Sequence, residues 1–318
     1  MTATRLPDKQ TSPRGVTGGQ RAAVLPTFLI GGAPKAGTTA LWALLEAHPQ
    51  VFMSRVKEPR FLTRRLNEPA PGVRMIGPDR SVNFHRGLAW YESLFSGSDG
   101  ALARGEASPQ YLGAQDGPEL MERFLPGVKI VFALRQPVDR AYSHYWQHWK
   151  KGWRMPRFGH LLDDHPELRY LDYMSRYAQH VERYRQTFGP DRVHLVLFDD
   201  LRAEPERVYR QLCRFIGVDD RFSPPSFGES YNQFASPRLR ILHRALMFTH
   251  FRRFGRVVPA PLRPALRRLR SWAERMNRGS SSYIPLDRAL RARLTHAFEE
   301  DIAYVERLTR PLPEWRES

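Results

Sequence analysis

Three short apolar runs stand out along the chain, each flanked by polar or glycine-rich sequence. They are Thr27-Phe28-Leu29-Ile30-Gly31, Lys129-Ile130-Val131-Phe132-Ala133-Leu134 and Val193-His194-Leu195-Val196-Leu197-Phe198. Continuous rather than alternating apolar character marks strands buried on both faces. A helical segment follows each run. The first is predicted over about Thr38 to Ala47 and is stopped by His48-Pro49, because proline drives its predecessor out of the helical region. The second carries Pro137 in its first turn and runs to about Lys151, proline being well placed where an N–H has no partner anyway. The third spans about Glu204 to Ile216, with Gly217 as its C-terminal cap. A last helix is predicted over about Leu286 to Leu308, with PLPEWRES beyond it as tail. This alternation predicts an α/β fold, a single domain with a central parallel sheet flanked by helices. Ligands of such sheets bind beyond the carboxyl ends of the strands, which directs attention to the residues after Ile30 and Leu134.

Composition narrows the class. The chain has 318 residues, 41% of them apolar and 12% aromatic, which gives ample core and excludes a disordered or low-complexity protein. No run of about 18 apolar residues occurs, so no membrane-spanning helix is expected. Residues 1 to about 22 lack periodicity and an apolar signal region, so they are read as a disordered tail ahead of a domain over 23–312. The single cysteine, Cys213, allows no intrachain disulfide framework and fits a reducing, cytoplasmic setting.

Charge adds a partner class. Lysine and arginine number 50 against 33 acids, a net +17, and only six of the basic residues are lysine. Arginine suits bidentate binding of phosphate, sulfate or carboxylate, so an anionic partner is expected. A high-GC coding bias would also write arginine freely, which makes each surviving lysine worth inspecting. From Pro237 to Arg278 twelve arginines stand against one acid, Glu274, with apolar residues between them. The 238–278 stretch reads as an Arg-rich helical lid or acceptor region, able to hold an anionic acceptor or to lie peripherally on an anionic membrane.

The candidate chemistry begins where the first strand ends. Gly32-Ala33-Pro34-Lys35-Ala36-Gly37-Thr38-Thr39 joins a strand to a helix, and glycines plus helix N-terminal N–H groups make an anion cradle. The Walker pattern, G-x-x-x-x-G-K-S/T, is matched by Gly32, Gly37 and Thr39, but Thr38 occupies the lysine position and the lysine stands at Lys35. A γ-phosphate would lose its cation there, which disfavours a P-loop nucleotide kinase, the alternative enzyme reading. A second anion site is suggested by Arg135, emerging from a strand end, and Ser143, two turns into the next helix. An arginine fork with a hydroxyl can hold a phosphate dianion. Two such sites suit a nucleotide phosphorylated at two separate positions. A nucleic-acid-binding reading of the +17 charge lacks a groove-reading motif, and no nucleic-acid partner is expected.

The order FLIGGAPKAGTT, HPQVFMSRVKEPRFL, GEASPQYL, IVFALRQPVDRAYSHYWQ, VHLVLFDDLRAEPERV resembles the PAPS-dependent sulfotransferase family, its heparan-sulfate-like branch and bacterial relatives. The likeness covers most of residues 27 to 217, with a weaker match at Ser282-Tyr283-Ile284-Pro285-Leu286-Asp287. It implies one α/β domain, sulfuryl transfer from PAPS to a hydroxyl acceptor, a P-loop-like phosphosulfate-binding loop and no metal. It further implies that Lys35, Ala36, Gly37, Thr38 and Thr39 wrap the 5′-phosphosulfate, that Arg135 and Ser143 grip the 3′-phosphate, and that Glu58 in Val56-Lys57-Glu58-Pro59-Arg60-Phe61 is the base. Gly279, Ser280 and Ser281 match a family loop over the adenosine.

Competing readings stand beside these. Glu58 could simply pair with Lys57 or Arg60. Other branches use a histidine base, for which His85 and His144 are the rivals. His144 and His148 are four residues apart on a helix, a zinc-compatible spacing without an evident third ligand. Asp199-Asp200 after an apolar strand imitates a magnesium-binding pair but reads as structural. Glu106-Ala107-Ser108 matches a family segment near the active site, with Ala107 where some relatives carry lysine. The aromatics Tyr142, Tyr145, Trp146, Trp149 and Trp153 could stack on an acceptor or form core.

Overall fold

The structure is a computed structural model that describes residues 24–65, 70–74, 82–151, 153–224 and 284–317. The three apolar runs form strands β1 (Phe28–Gly32), β4 (Lys129–Leu134) and β5 (Val193–Leu197). They lie in a five-stranded sheet with β2 (Val51–Met53) and β3 (Ala103–Ala107), in the order β2-β3-β1-β4-β5. Every pairing is parallel, with Leu29 opposite both Glu106 and Ile130. From β1 the chain passes through α1 (Thr38–Glu46) to β2 at one edge, returns through β3, and then crosses to β4 on the far side of β1. The order therefore reverses around β1, which opens a crevice at its carboxyl end.

Strand β3 was not expected, and its sequence, ARGEA, explains why. Gly105 sits where a Cβ would lie 2.1 Å from the Phe28 ring, so only glycine fits between the strands. Glu106 is fully buried in the sheet, an unfavourable place for a carboxyl unless its oxygens find donors.

The remaining described helices are α2 (Leu88–Ser93), α3 (Gly117–Phe124), α4 (Pro137–Lys150), α5 (Pro166–Tyr173), α6 (Tyr177–Phe188), α7 (Phe198–Ala203), α8 (Pro205–Ile216), α9 (Arg288–Ala297) and α10 (Glu299–Leu308). The expected last helix is two, broken at Phe298, where ψ is 13° and the ring is wholly buried. PLPEWRES is not a loose tail. Trp315 is 1% exposed and its Nε1–H donates to Asp199 at 2.8 Å. Asp200 pairs with Arg310 at 2.6 Å and with Arg207 at 3.1 Å. Asp199 and Asp200 thus have structural partners.

Two apolar clusters support the sheet. The larger surrounds the strands, and a second gathers Tyr142 and Trp146 of α4 with Phe158, Leu168, Leu171, Leu294 and Phe298. Those two aromatics are therefore core. No described helix is long and apolar enough to cross a membrane. The N-terminal 1–22, the 238–278 stretch and Gly279, Ser280 and Ser281 lie outside the described residues.

Candidate active site

The turn after β1 is tied to the neighbouring strand β4 by Ala33 N–H, which donates to Ala133 O at 2.6 Å. It is closed by Ala36 N–H on Ala33 O at 3.2 Å. Gly37, the N-cap of α1, has φ 90°, and a Cβ there would lie 3.0 Å from Phe198 and 3.1 Å from Leu201. Glycine is needed on both counts. No side chain caps α1 and its first turn holds no acid. Its first N–H groups are left for an anion.

Lys35 sits at the tip of this turn with φ 75°. Burial, and then the charges of Arg135, Lys150 and Lys151, push its ammonium down to about 8. Lys57 reaches the same turn and donates to Thr39 Oγ1 at 2.7 Å. Four of the six lysines thus collect around one strand end, although the anion-loop motif contains only Lys35. Scarcity of lysine was the signal that could have found the others. Arg135 follows β4, its guanidinium 4.9 Å from the Phe198 ring centroid, with its carbonyl accepting from Tyr177 Oη at 2.7 Å. Ser143 is buried on α4. Such convergence of cations suits a polyanion.

A polyanion seated here restores the Lys35 proton. Its affinity is expected to fall as pH rises through about 8, and binding at pH 8 should take up about half a proton. Calorimetry with pyrophosphate in buffers of different protonation enthalpy checks this, and zero proton uptake would count against the cluster as the binding site.

Across the crevice, Glu58 lies on the loop after β2. Its N–H donates to Ala107 O at 3.1 Å, at the end of β3. Its carboxylate accepts from Arg60 Nη2 at 2.5 Å and from Gln110 Nε2 at 2.9 Å, both on Oε2. Oε1 carries no hydrogen bond from a described residue, and the side chain is 30% exposed. The pairing with Arg60 is therefore real, while Lys57 turns to Thr39 instead. Gln110 is a carboxylate partner that the motif around Glu58 does not announce, because it comes from the 3₁₀ turn Pro109–Gly113 after β3.

Backbone strain marks the same place. Among described non-glycine residues four have left-handed φ: Lys35, Glu58 at 54°, Arg60 at 49°, and Asp164. Three of the four are in this crevice. Each such residue costs on the order of 1 to 3 kcal/mol and persists where surrounding structure holds it.

The rival histidines are placed differently. His85 is exposed in a 3₁₀ turn, Phe84–Arg86. His144 and His148 are buried and stacked with centroids 4.7 Å apart, and Arg140 lies 3.3 Å from His144 Nδ1. Burial, then Lys151, Lys35 and Arg140, hold His148 down at about 4. Burial, His148 and the same neighbouring cations hold His144 well below its ordinary value. Both rings are thereby kept neutral and weakly basic. Among the described residues no three His, Cys, Asp or Glu side chains gather as a metal site.

Comparison with known proteins gives a consistent set. The Sulfotransferase family matches residues 26–223. The human bifunctional heparan sulfate N-deacetylase/N-sulfotransferase 3 is 30% identical over 210 residues, covering 61% of this chain and 22% of that protein. The mouse heparan sulfate glucosamine 3-O-sulfotransferase 3B1 is 26% identical over 218 residues, covering 67% of this chain and 51% of the relative. The chain thus spans between about a fifth and a half of these curated relatives. A sulfotransferase from Alicyclobacillus acidocaldarius, solved by crystallography, is 27% identical with a TM-score of 0.65, covering 92% of this chain and 99% of its own.

Proposed function

The chain belongs to the sulfotransferase family, and from that premise we propose that it moves a sulfuryl group from PAPS to a hydroxyl acceptor. The observation that carries the reading is the convergence of Lys35, Arg135, Lys150 and Lys151 on the crevice beyond β1, where burial and then these charges lower the Lys35 ammonium to about 8. A donor carrying a phosphosulfate at one end and a 3′-phosphate at the other matches that charge. PAPS supplies the activated sulfuryl group. In this reading the turn Lys35–Thr39 holds the 5′ end, and Arg135 and Ser143 hold the 3′-phosphate. The Glu58 carboxylate takes the acceptor hydroxyl proton as the new S–O bond forms and the bridging S–O bond breaks. The Lys35 ammonium offsets charge gathering on the departing oxygen.

The two curated relatives named above are heparan sulfate enzymes. For this chain the acceptor class is an alcohol on a carbohydrate, lipid or secondary metabolite. The Arg-rich 238–278 stretch is assigned to the acceptor side and Gly279, Ser280 and Ser281 to the adenosine, within one domain over 23–312. The single buried thiol, Cys213, fits a cytoplasmic setting.

The test is calorimetric titration with PAP, the desulfated product, against ATP–Mg, DNA and the analogue lacking the 3′-phosphate. PAP is expected to bind best. Arg135→Ala and Ser143→Ala should each weaken PAP by about 1.5 to 3 kcal/mol, the range for hydrogen bonds to a charged group. The analogue without the 3′-phosphate should be nearly unaffected. Equal losses for both ligands would show that these residues do not read the 3′ position.

A further inference from the structure

Glu106 is a charged residue type in the interior of a buried sheet, 0% exposed. It accepts from Tyr111 Oη at 2.7 Å and Tyr91 Oη at 3.2 Å on Oε1, and from Ser108 Oγ at 2.8 Å on Oε2. A hydroxyl has one proton. Because Glu106 receives the protons of Ser108 and Tyr111, the oxygens of both are left to accept. Each does so from the loop that carries Glu58. Arg60 N–H donates to Ser108 Oγ at 3.0 Å, and Leu62 N–H donates to Tyr111 Oη at 3.1 Å. The same loop holds two left-handed residues, Glu58 and Arg60, which relax unless something fixes them.

We propose that Glu106 is a positioning residue for Glu58: through Ser108 and Tyr111 it fixes the polarity of two hydrogen bonds that hold the strained Glu58–Leu62 loop. This rests on the reading of Glu58 as the base. Burial raises the Glu106 carboxyl to about 7 against the pull of its three hydroxyl donors, and the Glu58 charge adds to the rise. The motif alone did not disclose this role, because Tyr91, Arg60 and Leu62 come from other parts of the chain.

Glu106→Gln is the decisive change. An amide replaces one acceptor oxygen by a donor, so a facing hydroxyl must turn its proton toward the loop and lose the N–H it accepted. Hydrogen exchange read by mass spectrometry should show one of the two loop amides losing at least tenfold protection: Arg60 where the new NH2 faces Ser108, Leu62 where it faces Tyr111. PAP affinity should stay within twofold of wild type. Turnover should fall roughly ten- to a hundredfold, the scale for a misplaced catalytic group. The double variant Glu58→Gln/Glu106→Gln should be no slower than Glu58→Gln, because Glu106 acts through Glu58. Unchanged protection at 60 and 62, a multiplicative double variant, or PAP affinity lost in step with turnover would each overturn the proposal. Should Glu106→Gln not fold, Ser108→Ala must release the Arg60 amide alone and Tyr111→Phe the Leu62 amide alone. Release of neither overturns the proposal. If wild-type protein transfers no sulfuryl group, the proposed function fails, and the exchange result still decides whether Glu106 holds the loop.

Discussion

Lys35→Ala should leave a folded protein whose sulfuryl transfer is reduced by at least about 10²- to 10³-fold, the scale for losing one preorganised charge-stabilising donor. Folding should not suffer, for an electrostatic reason. In the protein without a bound anion, Lys35 is a charged group pressed by burial and by Arg135, Lys150 and Lys151. Its folded-state pKa, about 8, lies below its ordinary 10.5. Below pH 8 the folded chain must carry this proton against burial and then repulsion, so the wild type is destabilised relative to the alanine variant. The difference diminishes as pH rises from about 8 toward 10.5, because there the folded chain sheds the proton that the unfolded chain keeps. Thermal melts at pH 7 should therefore place the variant at or above wild type, while turnover collapses. Lys35→Gly is the backbone control, since it also removes the left-handed strain at φ 75°. Near wild-type sulfation by the alanine variant would remove Lys35 from the reaction.

The elements that the sequence made legible are those whose burial is uniform. β1, β4 and β5 are continuous apolar runs, and α1, α4 and α8 carry proline or glycine at their ends. β2 is three residues long and β3 holds Arg, Gly and Glu, so no periodicity could announce them. Their place is set by tertiary fit, Gly105 under Phe28 and Glu106 among three hydroxyls. The site divides in the same way. Lys35 and Arg135 follow from strand ends. Lys57 on Thr39 and Gln110 on Glu58 depend on separate loops meeting, which spacing does not encode. The break at Phe298 and the docking of Trp315 are likewise packing decisions, made by buried rings rather than by local propensity.

Glu58→Gln is the second large effect expected, a fall in kcat of roughly 10²- to 10⁴-fold, the usual contribution of a general base. The amide keeps the size of the side chain and can still accept from Arg60 and Gln110 through one oxygen, but it takes no proton. The loop should hold, since its anchors at Ala107, Ser108 and Tyr111 do not involve the carboxylate. PAP affinity should hold as well, because Lys57, the neighbour that touches the anion turn, bonds to Thr39 and not to Glu58. This separation lets the experiment choose between the two readings of the carboxylate. As base, Glu58 loses rate and keeps affinity. As mere partner of Arg60, it would lose neither, or would lose both together by disturbing the loop. His144→Asn supplies the opposing arm. Burial and surrounding cations hold that imidazole well below its ordinary pKa, so it is a weak base, and its loss should cost little chemistry. A dead His144→Asn beside a fully active Glu58→Gln would reverse the assignment and place the proton on the histidine.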